Sequence, residues 1–142
     1  MRRLLLLCVL VLAGGATAQE IRLPDYERVV LDNGAVLLLA EKHDVPLVGM
    51  RAALRGGSAA DPAGREGMAS LIATLLQKGA GDRDAAAFAE AAAGVGGNIS
   101  AAAAVESTSI SADFLSRDAE LMIELVADML MDMQRAGATA LE

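Results

Sequence analysis

Gly67-Met68-Ala69-Ser70-Leu71-Ile72-Ala73-Thr74-Leu75-Leu76-Gln77-Lys78-Gly79 is the stretch on which the reading of this 142-residue chain turns. Met68, Leu71, Ile72, Leu75 and Leu76 fall at i, i+3, i+4, i+7 and i+8, a single apolar stripe at helical period, and Gly79 follows Lys78 where a helix end is expected. Ser70, Ala73 and Thr74 share another face, because positions i, i+3 and i+4 lie within about 60° of one another at about 3.6 residues per turn. Their small side chains suit a face that packs close to a sheet.

Toward the N-terminus, Arg28 to Leu31 and Val36 to Ala40 flank Asp32-Asn33-Gly34, a hairpin signal that predicts a type I′ turn. Leu47 to Leu54 is apolar almost throughout and predicts a strand buried on both faces. Gly56 to Gly64 reads as a loop. Toward the C-terminus, Asp82 is the expected N-cap of a second helix running to about Ala93, which Gly94, Gly96 and Gly97 end. Asn98 to Val105 and the alternating Ser107, Ser109 and Ser111 with Thr108, Ile110 and Ala112 predict paired strands. A long helix from Ser116 carries Leu121, Ile123, Leu125, Val126, Met129, Leu130 and Met133 as its apolar face, the methionines reading as core filler. The order β-β-β-α-α-β-β-α predicts an α+β fold, a mixed or antiparallel sheet with helices packed on one face.

Residues 1–18 read as a signal peptide. Arg2 and Arg3 precede the apolar run Leu4 to Leu12, and Ala16-Thr17-Ala18 gives a small-x-small cleavage site before Gln19. The run is shorter than the roughly 20 residues that span a bilayer. The expected mature chain, residues 19–142, is exported, most simply to a bacterial periplasm, and is not membrane-bound after leader removal. Cys8, inside the run rather than after a small residue at its end, does not match a lipid-anchor site, and it leaves with the leader. The leader holds two of the 12 basic residues and none of the 19 acidic ones, so the mature chain is more acidic than the −7 of the whole. An acidic chain with no tryptophan, one tyrosine and two phenylalanines has neither the basic stripe nor the stacking surfaces of a nucleic-acid binder.

Residues 67–79 resemble the active-site helix of the pitrilysin/insulinase metallopeptidases. The resemblance extends through Leu31-Asp32-Asn33-Gly34, Pro46-Leu47-Val48, Gly57-Ser58, Asp61-Pro62 and Gly64, then Gly96-Gly97-Asn98, Glu106, Thr108 and the acidic helix from Ser116, in the order of that family's N-terminal lobe. It implies that Ser70, Ala73 and Thr74 stand where the family carries H-x-x-E-H, two imidazoles for zinc and a carboxylate that activates water. Glu106 matches, by the same resemblance, a glutamate that supports the zinc ligands from behind. The remaining family ligand is a glutamate beyond the long helix. The family's lobes are longer than this chain and occur in homologous pairs, so residues 19–142 are expected to be a partial N-terminal peptidase-like domain, from a fragment or a truncated reading frame.

Serine, alanine and threonine supply no imidazole, carboxylate or thiolate, so no zinc or other cofactor is expected. His43, the single histidine, sits in the polar Glu41-Lys42-His43-Asp44 and is expected to be a surface residue. There is no G-x-S-x-G elbow, and Gly94 to Gly97 lack the Lys-Ser/Thr of a phosphate loop. Asp82/Asp84 and Asp128/Asp132 read as solubilising helix carboxylates. The leading expectation is a non-catalytic homologue, companion lobe or subunit of a zinc-bearing peptidase, that binds peptides. The alternatives are a stand-alone exported binding or structural domain, a fragment of an active zinc metalloendopeptidase with metal held by a partner chain, or a decaying remnant.

Overall fold

The structure, a computed structural model, describes residues 24–140. The leader and the cleavage site at Ala18 and Gln19 lie outside the described residues. Two compact units divide in sequence between Lys42 and His43.

The first unit holds a hairpin, in which β1 (Glu27–Val30) pairs antiparallel with β2 (Val36–Leu39), from Glu27 opposite Leu39 to Val30 opposite Val36. The expected type I′ turn is not formed. That turn needs positive φ at two successive residues, and here Gly34, at +81°, is the only loop residue with one. The Gly34 N–H donates to the Leu31 carbonyl at 2.8 Å, the Leu31 N–H to Ala35 at 2.8 Å, and the Ala35 N–H to Asn33 Oδ1 at 3.0 Å. This is a type I turn followed by a left-handed glycine, the three-residue solution, and it follows from Ala35 standing between Gly34 and the strand. Val36, Leu37, Leu38 and Leu39 are all exposed.

The second unit is built on three antiparallel strands in the order β3-β5-β4: β3 (Leu47–Arg55), β4 (Asn98–Ala103) and β5 (Ser107–Leu115). β5 is central, with Met50 and Ile99 both opposite Ala112, and Ala52 and Ala101 both opposite Ile110. Its alternation sends Thr108, Ile110, Ala112 and Phe114 into the core and leaves the serines on the other face. β3 corrects the expectation of burial on both faces. Val48, Met50, Ala52 and Leu54 are half-buried while Leu47, Gly49, Arg51, Ala53 and Arg55 are exposed. On that outer face Arg51 Nη2 donates to both carboxylate oxygens of Asp113 across the ladder, at 3.0 and 2.8 Å, and Nη1 donates to the Ala112 carbonyl at 3.0 Å.

Helices α1 (Met68–Leu76), α2 (Ala85–Ala93) and α3 (Ala119–Ala140) cover the inner face. α2 begins at Asp84, not Asp82. Asp84 Oδ1 accepts from the N–H groups of Ala86 and Ala87 at 3.1 and 2.9 Å, because the chain first turns through an Ala80–Arg83 bridge. One turn of 3-10 helix, Ser116–Asp118, precedes α3. Met122, Leu125, Val126 and Met129 are the buried stripe of α3, and Ile123, expected in it, is 55% exposed. Positions 122, 125, 126 and 129 keep the i, i+3, i+4, i+7 spacing, and residue 123 lies about 100° away from 122. Two methionines are thus core filler, as expected from composition.

Met129→Ala is expected to cost about 2–5 kcal/mol of stability, since the buried side chain leaves a cavity. Ile123→Ala is expected to stay within about 0.5 kcal/mol. Urea unfolding of both variants checks the pair.

Candidate functional site

The site begins with how α1 is started. Gly67 provides no side-chain cap. Asp61 reaches in from the preceding loop instead, its carboxylate accepting from the Gly67 N–H at 2.7 Å and from the Ala69 N–H at 2.9 Å. A negative side chain here satisfies two orphan donors and faces the positive end of the helix dipole. Glu66, on the same loop, accepts from the Gly64 N–H at 3.0 Å. Bonds from its own and the Gly64 backbone hold its carboxyl below the usual carboxylate range.

The loop that delivers Asp61 is laced to the β4–β5 turn. Gly56 N–H donates to Glu106, Ser58 to Ala104 and Ala59 to Val105, at 3.1, 3.0 and 2.9 Å. Thr108, 4% exposed, donates its hydroxyl to the Gly56 carbonyl at 3.0 Å. Gly57 is required by this approach, because a Cβ there would lie 2.0 Å from the Ala104 carbonyl oxygen. Glu106 is thereby placed in the turn with its backbone engaged and its side chain exposed.

On α1 the buried face takes in only part of the stripe of large apolar residues. Ala73 is 2% exposed and Leu76 5%, Ala69 and Ile72 are half-buried, and Leu71 and Leu75 are 58% and 56% exposed. The helix is turned so that alanines meet the core, with β4 beside it. Of the three residues that the resemblance assigns to the metal motif, only Ala73 packs inward. Ser70 and Thr74 are exposed, and the Thr74 hydroxyl donates back to the Ser70 carbonyl at 2.9 Å. The expectation of a small face packed on the sheet holds for Ala73 and is corrected for its two neighbours. These residues do not fit zinc, which needs imidazole, carboxylate or thiolate donors. Among the described residues no group of three or more His, Cys, Asp or Glu side chains converges to hold a metal ion.

Beside α1, β4 presents a free edge of the described sheet. The Ala104 N–H donates to Ser107 at 2.8 Å, which fixes the phase of the ladder. In that phase Asn98, Ser100 and Ala102 exchange bonds with β5, while the N–H and C=O groups of Ile99, Ala101 and Ala103 point outward. Gln77, one residue past α1, donates through Nε2 to the Ala101 carbonyl at 3.0 Å and to Ala73 at 3.2 Å.

A second concavity, of about 560 Å³, lies between the Gly81–Arg83 segment and α3. The Gly81 N–H donates to Asp132 at 2.8 Å, and Arg83 pairs with Glu124 at 2.5 Å and Asp128 at 2.9 Å. The Glu124 bond raises the Arg83 guanidinium above its ordinary range. Asp128 and Asp132 therefore tie a loop to α3 and do more than solubilise the helix.

A family model described as insulinase (peptidase family M16) matches residues 36–135. The chain belongs to the insulinase family. Two solved structures share the fold of this insulinase-family chain. A peptidase M16 inactive domain from Pseudomonas fluorescens is 24% identical over 74% of this chain, with a TM-score of 0.66. A protease from Helicobacter pylori is 21% identical over 76% of it, with a TM-score of 0.69. The chain spans 26% of the length of each. No curated protein matches it.

Sequence reasoning missed Asp61 and Gln77 as structural actors. Asp61 followed by Pro62, six residues before Gly67, was a usable signal for a loop carboxylate that caps α1. Gln77 had none, since its partner is 24 residues away.

Asp61→Ala is expected to lower stability by about 1–2 kcal/mol through loss of the cap, with Asp61→Asn milder, as read by thermal or urea unfolding. The Glu66 carboxyl is lower in the folded than in the unfolded state, so its contribution is present above the unfolded value and is lost as pH falls through the folded value. Glu66→Gln is expected to reduce the fall of Tm on acidification.

Proposed function

We propose that this chain is a non-catalytic insulinase-family lobe that serves as companion to a zinc-bearing homologue and helps hold extended peptide. The observation that carries the reading is the occupation of the motif's face by Ser70, Ala73 and Thr74 within a fold otherwise retained. What remains is a binding geometry, the outward backbone groups of β4 alongside α1. An extended peptide adds to such an edge through main-chain hydrogen bonds, with alternate side chains left to be read by neighbouring surfaces. Loss of metal ligands from α1 leaves that edge in place. Export through cleavage between Ala18 and Gln19 is part of the same proposal and puts both partners in the periplasm.

Native mass spectrometry of the protein recovered from the periplasm tests the reading. The expected result is a complex with a larger, zinc-loaded homologue, with no zinc assigned to this chain. A metal-free monomer with no homologous partner would instead support a stand-alone exported domain. S70H/A73E/T74H is expected to show no zinc-dependent peptide cleavage on its own. Two new imidazoles leave the metal one protein ligand short of the three that a catalytic zinc takes. Peptide cleavage by the native chain, abolished by chelation, would overturn the non-catalytic reading.

A further inference from the structure

The β4 edge is not uniformly open. Of its outward acceptors, the Ala101 carbonyl stands in the middle, between those of Ile99 and Ala103, and it is the one met by Gln77 at 3.0 Å. The same Nε2 donates to the Ala73 carbonyl at 3.2 Å, so the carboxamide bridges the end of α1 and the sheet edge. An incoming strand paired opposite Ala101 uses both the N–H and the C=O of that residue. It therefore competes with Gln77 for the carbonyl.

We propose that Gln77 gates the β4 edge: its carboxamide holds the Ala101 carbonyl and so sets the affinity of any extended peptide added there. Edge strands are ready templates for unwanted pairing, and covering part of an edge is a common way to suppress it. A side chain on a short tether gives a cover that can swing aside, in contrast to a bulge or proline built into the strand. Gln77 is a positioning residue in this scheme, acting on peptide through the Ala101 carbonyl. The inference rests on the peptide-holding role of β4 proposed above.

The test uses the full chain and a fluorescein-labelled octapeptide of alternating valine and threonine with a terminal lysine pair, followed by fluorescence anisotropy. Gln77→Met keeps the length of the side chain and removes the donor, and Gln77→Glu replaces the donor with an acceptor that the carbonyl repels. Both are expected to bind the peptide about five-fold more tightly than the native chain, the scale of one net hydrogen bond relieved of competition. Tm values of the variants, measured alongside, separate this from a change in folding. Equal or weaker binding by two folded variants overturns the gate and leaves the peptide-holding role standing. Absence of binding by all three proteins overturns the peptide-holding role, and the gate with it.

Discussion

The second unit depends on one strand. β5 is the member of the described sheet with a hydrogen-bonded neighbour on each side, and its four inward side chains, Thr108, Ile110, Ala112 and Phe114, are all buried. A strict period of two makes that placement unforgiving, since a slip of one residue would turn the serines and Asp113 into the core and Phe114 into water. The rest is arranged around it. β3 and β4 take their register from β5, α3 packs its Met122, Leu125, Val126 and Met129 stripe on the same face, and the Thr108 hydroxyl fastens the loop that leads to α1. The pairing of Arg51 with Asp113 adds a second, polar lock on the opposite face. It is exposed to solvent, so its part in specifying register exceeds its part in stability.

How much of this was legible in the sequence depended on whether a residue's surroundings were local. The Ser and Thr/Ile/Ala alternation of β5 announced a half-buried strand, and the α+β order held. The turn at Asp32-Asn33-Gly34 was located but mistyped, because Ala35 changes the loop from two residues to three. β3 was misread because glycine and alanine count as apolar by letter while demanding little burial; the arginines at 51 and 55, two of the five outward positions, were the better signal. α1 was misread for a related reason. Hydropathy favours Leu71 and Leu75 as the inner face, yet the alanines permit the close approach to β4, and close approach determined the rotation.

The candidate site divides in the same way. The three residues that the resemblance sets at the metal motif were expected to share one small packed face, and in the structure they differ, Ala73 inside and Ser70 and Thr74 outside. Asp61 as cap lies six residues from Gly67 and left a local signal, but Gln77 as bridge and Arg83 as tie to α3 act on partners distant in sequence. Such contacts carry no periodic trace, and only the folded geometry reveals them.

The burial of Ala73 bears on how the chain can change over generations. A glutamate placed there would enter a site that is 2% exposed, in contact with an apolar cluster. A buried carboxylate without a partner is destabilising on its own. Positions 70 and 74, by contrast, are exposed and carry no such cost. Packing therefore constrains position 73, while the exposed positions 70 and 74 admit a wider range of side chains.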